Sequence, residues 1–279
     1  MAAIIQVTAW ERVSLWRRVP CAFVRVGILL TILIVLSGLL GPPLSIYFAA
    51  RWEARRVPGV KVTPQPLADY SVSDAPGATL SYFGYEFEVP WNAGFKKKAF
   101  GKNGLMQVEF ESGQNVTFIV PGDQSGLLTE IAQDQSLGGK NLQVLFGDLM
   151  NRSAYDQYAA LLSTTPSSIR AFGPRAEAAR GLALLTIKAI AFTPSLETGV
   201  FSFELPDKHG FQIGDPGESR SVGLEVFDRR GHHVEIFCGT TKNSSRLTQP
   251  ELNRVLKSLH AVSAEPSAEP PASTTASRN

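Results

Sequence analysis

Residues 26–50 contain no charged side chain and read VGILLTILIVLSGLLGPPLSIYFAA between Arg25 and Arg51. A helix that crosses a bilayer needs roughly 20 apolar residues, so this run predicts a transmembrane anchor over residues 22–50. Gly41, Pro42 and Pro43 interrupt it, because proline lacks a backbone donor and clashes with the preceding turn. The expectation is a span ending before that break. A segment over residues 44–56 would then lie at the interface, with Tyr47 and Trp52 at headgroup level. A cleaved signal peptide has a shorter apolar core, about 7–15 residues, and a small-x-small cleavage site. Here Phe48 precedes Ala50 and Tyr47 precedes Ala49 at the critical position, and Cys21 lies before the run, not after it.

Beyond the run the pattern changes. Residues 57–79 hold Pro58, Pro64, Pro66 and Pro76 among small and polar residues, which predicts a juxtamembrane linker over 51–79. Tyr85, Phe87 and Val89 alternate with Glu86 and Glu88 up to Pro90, the period of a half-buried strand. A hairpin follows, with Val108 and Phe110 before Gly113 and Val116, Phe118 and Val120 after it. Residues 124–150 are mixed. Asn151 or Ser153 caps a helix that turns Tyr155, Tyr158, Leu161 and Leu162 inward, and Pro166 opens a second helical stretch to about Arg180. Residues 182–192 and 200–205 read as buried strands.

Residues 221–227 and 233–238 form the clearest hairpin. Val222, Leu224 and Val226 share a face with Val234, Ile236 and Cys238, while Glu225, Phe227, Glu235 and Phe237 make the other face mixed. The last helix has capping-box spacing at Thr248 and Glu251, Pro250 in the first turn, and an inward stripe of Leu252, Val255, Leu256 and Leu259. Asn253, Arg254 and Lys257 fall on its opposite face. After Val262 the tail has no large apolar residue and is expected to be disordered.

Clustered hairpins with segregated helices predict an α+β domain over residues 80–261, with a mainly antiparallel sheet packed by helices. The opening strand ending in Pro90-Trp91, the middle helical insertion, the later strands and the helix ending Leu256-Lys257-Ser258-Leu259 resemble the PsbP/Mog1-like αβα sandwich proteins. That resemblance implies a bias toward binding and assembly modules and assigns no site.

Charge then divides the chain. Residues 1–61 carry eight Lys/Arg and two Asp/Glu, a net +6, whereas residues 62–261 carry 18 against 21, a net −3. The basic residues flank the apolar run, where they suit anionic headgroups, and the slightly acidic domain argues against nucleic-acid binding. Four basic residues precede the run and four follow closely, so the positive-inside rule gives no orientation. A short basic start before an apolar core matches export signals and points to an exported domain. Cys21 and Cys238 lie on either side of the run, so the domain holds no internal disulfide.

Candidate chemistry is sparse. No nucleophile elbow, phosphate loop, zinc-protease helix or dinucleotide fingerprint occurs, so the sequence calls for no cofactor and no metal. Lys96, Lys97 and Lys98, between Phe95 and Phe100, form a basic stretch suited to lipid headgroups or an acidic partner. Phe211 sits in HGFQIGDPGES and reads as an aromatic on a long partner-contact loop. His232 and His233 are adjacent at a hairpin turn near Asp228; along a strand they would face opposite ways, but a turn would let all three form a dispersed catalytic site. Cys238, on the apolar face, reads as a buried inert thiol. The expected function is a binding or assembly module of the cell envelope on a single-pass anchor, with membrane lipid and an envelope protein as partners. The alternative is a tethered enzyme around Asp228, His232 and His233.

Overall fold

The computed structural model describes residues 42–91, 94–100, 104–121, 127–133, 139–170, 174–192, 195–242 and 244–262. The span expected over residues 22–40 and the C-terminal tail lie outside them. No helix among the described residues is long and apolar enough to cross a membrane.

The centre is an eight-stranded sheet. Its strands are β1 (Gln65–Pro66), β4 (Phe95–Phe100), β5 (Leu105–Phe110), β6 (Gln114–Ile119), β7 (Val200–Glu204), β8 (Lys208–Ile213), β9 (Ser221–Asp228) and β10 (His233–Thr240). They run in the order β1-β7-β8-β9-β10-β6-β5-β4, and only the β1–β7 pair is parallel. The meanders β4–β6 and β7–β10 meet where β6 pairs with β10, and the helices between them in sequence lead from β6 to β7, on the far side of the second meander. A small sheet of β2 (Ala78–Tyr82), β3 (Tyr85–Val89) and β11 (His260–Ala261) lies apart. The fold is thus α+β and mainly antiparallel.

One sheet face is apolar. Val222, Leu224 and Val226 of β9 and Val234, Ile236 and Cys238 of β10 join Val108 and Phe118 against the small sheet and the last helix, α6 (Gln249–Ser258). The expected capping box of α6 is present: the Thr248 amide donates to Glu251 Oε2 at 2.7 Å. Leu252, Val255, Leu256 and Leu259 are buried as their spacing requires. Asn253 departs from its expected outward place. It is 1 % exposed, and its amide donates to the carbonyls of Asp69 and Ser71, tying the chain before β2 onto α6.

The other face carries the helices α2 (Leu127–Gln133), α3 (Gly139–Phe146), α4 (Ala154–Ser163) and α5 (Arg175–Phe192). Ser153 caps α4, accepting from the Asp156 amide at 3.1 Å. Residues 182–192, expected as a strand, form the second half of α5. Their pattern lacks a polar stripe because α5 is buried on two sides: Leu182, Leu185 and Ala189 meet one cluster, Ala183 and Leu184 another. The helical stretch expected from Pro166 is a single 3-10 turn, Pro166–Ser168, and α5 begins only at Arg175.

Among the described residues the first helix is α1 (Pro42–Arg56). Ile46, Ala50 and Ala54 pack on Ala178, Leu182, Leu185 and Ala189 of α5. The linker expected over residues 57–79 is instead folded onto the domain. Val60 and Leu67 are buried, and β1 extends the sheet. Lys188 of α5 fastens this segment. Its fully buried ammonium donates to the carbonyls of Val62 and Leu162 at 2.6 Å and of Thr164 at 3.1 Å. Desolvation pulls its pKa down to about 8, so the group stays charged at neutral pH.

Candidate functional site

The β9–β10 hairpin concentrates the ionisable groups. Its register places Phe227 opposite His233 and Glu225 opposite Glu235. Alternation then sends the two adjacent histidines to opposite sides, and they enter two different environments.

His232 and Asp228 belong to a pocket of about 290 Å³ at the hairpin tip, walled by Tyr85, Val226, Leu259 and His260. The His232 Nδ1 lies 2.7 Å from Asp228 Oδ2, and the Arg230 and His232 amides donate to Asp228 Oδ1 at 2.8 and 2.9 Å. Burial works to raise the Asp228 pKa, but these hydrogen bonds outweigh it and hold the carboxyl below its ordinary value. Burial and then the Asp228 charge raise the Tyr85 phenol. Most cations here are paired: Lys208 with Asp207 at 3.2 Å and Arg229 with Glu204 at 3.3 Å. The Arg230 side chain is exposed and carries no ion pair among the described residues. The pocket therefore offers an apolar floor and one guanidinium at the rim.

His233 enters the helix side. Its Nε2 lies 2.8 Å from Glu225 Oε2, with both side chains buried, at 8 % and 2 % exposure. Phe227 stacks on the imidazole at 4.4 Å between centroids, and Tyr158 of α4 meets its edge at 5.2 Å. The Tyr158 hydroxyl donates to Glu235 Oε1 at 3.4 Å. Burial pushes the Glu225 carboxyl up to about 8, against a hydrogen bond from Tyr158 that lowers it. Asp228, His232 and His233 do not converge on one site.

The other expected positions are placed as follows. Phe211 is not on a loop. It lies in β8, 2 % exposed, against Ala154, Tyr158 and Phe227, so its ring is not presented to a partner. The glycine before it misleads: a Cβ on Gly210 would collide with the Glu225 carbonyl oxygen and press the Phe203 ring at 2.8 Å, so close strand packing demands glycine there. Lys96, Lys97 and Lys98 are in β4, the edge strand of the large sheet. Lys96 pairs with Glu109 at 2.8 Å and the Lys98 ammonium stands 3.7 Å above the Phe95 ring. Lysines on an edge strand discourage pairing with other chains, which accounts for the run. His260 lies beyond the last helix and pairs with Glu86 in the small sheet. Cys238 is buried, and burial raises its thiol to about 12, that of an inert group.

Linear spacing missed the Glu225–His233–Glu235 grouping. The signal was the four-residue hairpin connection, which sets the register and brings Glu225 opposite Glu235.

No family model matches the chain, and neither a curated protein nor a solved structure matches it.

Proposed function

We propose that the chain is a single-pass membrane protein whose exported α+β domain acts as a binding or assembly module of the cell envelope, held close to the bilayer by α1. The observation that carries this reading is the outer face of α1. Leu44, Phe48 and Trp52 recur every fourth residue and are 44 %, 60 % and 63 % exposed, although α1 is firmly packed on α5 by its opposite side. Arg51, Arg55 and Arg56 border them, with Arg51 5.0 Å from the centre of the Tyr47 ring. An apolar and aromatic row edged by arginine suits the boundary between acyl chains and anionic headgroups. The row also continues directly from the charge-free run, so the anchor and the seat are one unbroken stretch of chain.

The pocket at the hairpin tip is the binding site in this reading, with Arg230 meeting an acidic group and the floor taking an apolar one. Two arms test it. An impermeant thiol reagent should label cysteine placed at Ser71 from outside intact cells, and a photocrosslinker at position 230 should capture one reproducible adduct. Labelling only after the membrane is opened, or no adduct above that from an exposed control position such as 257, refutes the reading.

The Asp228–His232 hydrogen bond favours a second reading, an enzyme in which Asp228 orients His232 as a base. That reading requires His232→Gln to keep the crosslinked adduct but stop its chemical conversion.

A further inference from the structure

We infer that Glu225, His233 and Glu235 form a binding site for one divalent cation of the zinc class, separate from the hairpin-tip pocket. One carboxylate oxygen from each glutamate and one imidazole nitrogen lie within 4.8 Å of one another. A tetrahedron with bonds of ~2.1 Å has edges of roughly 3.4 Å, so small side-chain rotations close the set around an ion. The geometry arises from the hairpin itself. Glu225 and Glu235 are directly opposite across β9 and β10, and His233 lies two residues from Glu235 on the same face.

Ionised together, two facing carboxylates make an unfavourable cross-strand pair, and burying them adds to the cost. Glu225 is 2 % exposed and Glu235 is half-buried. A divalent cation turns this arrangement into a favourable one. Two carboxylates and a neutral imidazole carry a charge of about −2, which a doubly charged ion cancels inside a low-dielectric site.

The donors select the ion. Magnesium and calcium prefer all-oxygen shells, whereas an imidazole with two carboxylates suits zinc and its first-row neighbours. The surroundings resemble an outer shell. The Tyr158 hydroxyl donates to Glu235, and Phe227 and Tyr158 fix the imidazole plane from its face and its edge. On binding, each donor lends a lone pair to the ion and any proton it held passes to solvent. Three protein ligands leave one position for water.

The test uses the full chain in detergent, stripped with a chelator and titrated with zinc chloride against a chromophoric competitor. The expected result is one zinc per chain, not displaced by excess magnesium, with tetrahedral visible bands when cobalt replaces zinc. His233→Gln and Glu235→Gln should abolish stoichiometric binding, and Tyr158→Phe should weaken it by about 10–100-fold. The double substitution of His232 and His260 by Gln should leave binding intact. Circular dichroism reports whether each variant folds. Should His233→Gln fail to fold, Glu235→Gln decides, because its side chain is only half-buried. Unchanged zinc affinity in Glu235→Gln, or loss of the ion on removing the surface histidines, overturns the site.

Discussion

The first and last helices of the folded unit treat their outer faces in opposite ways. In α6 the apolar residues all point inward: Leu252, Val255 and Leu256 are buried, and Lys257 is exposed. In α1 apolar residues occupy both sides. Ile46, Ala50 and Ala54 meet α5, while Leu44, Phe48 and Trp52 face outward. A helix in water gains from hiding large apolar groups, as α6 does. A helix whose outer row is Leu, Phe and Trp edged by arginine is built for a surface that is partly apolar and partly anionic. The proposed membrane contact rests on this difference, without reference to the preceding span.

Substitutions on each side sharpen this contrast. Leu256→Ala, within the buried stripe of α6, should destabilise the domain by about 2–5 kcal/mol in urea melts, because it opens a cavity in a packed core. A cost below about 1 kcal/mol contradicts the assigned packing. Lys188→Met leaves three carbonyls without a donor and should cost about 1–3 kcal/mol for each one that water cannot reach. This effect depends on pH. The folded pKa of about 8 lies below the unfolded value of ~10.4, so the unfolded chain binds more protons between them. Stability of the native protein relative to Lys188→Met should therefore rise from about pH 8 to about 10 and stay level below 8. A flat difference across that window refutes the assignment.

Ala50→Leu forces an extra side chain between α1 and α5 and should cost about 1–3 kcal/mol, because Ala50 is fully buried. A neutral outcome indicates that α1 separates readily from the domain. The smallest effect on folding is expected from the joint change of Phe48 and Trp52 to Ser. Stability should move by less than about 0.5 kcal/mol per site, since both side chains are exposed. The same change should release the domain from the lipid surface, as seen by increased reactivity of a cysteine at position 44 toward an impermeant reagent.

How much of this was legible depended on how each element meets solvent. Helix α6 has one buried face, so its period of 3.6 appears in the sequence; the β9–β10 hairpin is buried on both sides, but its period of 2 still shows because one face is apolar throughout and the other is mixed. Helix α5 is buried by two clusters, and its continuous apolar second half looked like a strand. Asn253 was read outward because polarity alone cannot reveal a buried amide serving two backbone carbonyls. The linker looked free because its prolines mask two buried anchors, Val60 and Leu67. The helix-side cluster was half visible. Its mixed face could be read from alternation, but the meeting of Glu225, His233 and Glu235 needs the register that the hairpin connection sets. The opposed directions of His232 and His233 did follow from alternation, and that geometry divides the pocket from the buried cluster.

Depth in the membrane at position 52 tests the central claim most directly. With Cys21 replaced by serine and Cys238 left buried, a fluorescent probe on a cysteine at position 52 is compared with one at position 257 on α6, the full chain being reconstituted in vesicles that contain anionic lipid. Lipid-borne quenchers placed near the headgroups should quench the probe at 52 and leave the probe at 257 unchanged. Equal quenching at both positions, or quenching of neither, contradicts the seating of α1 on the bilayer.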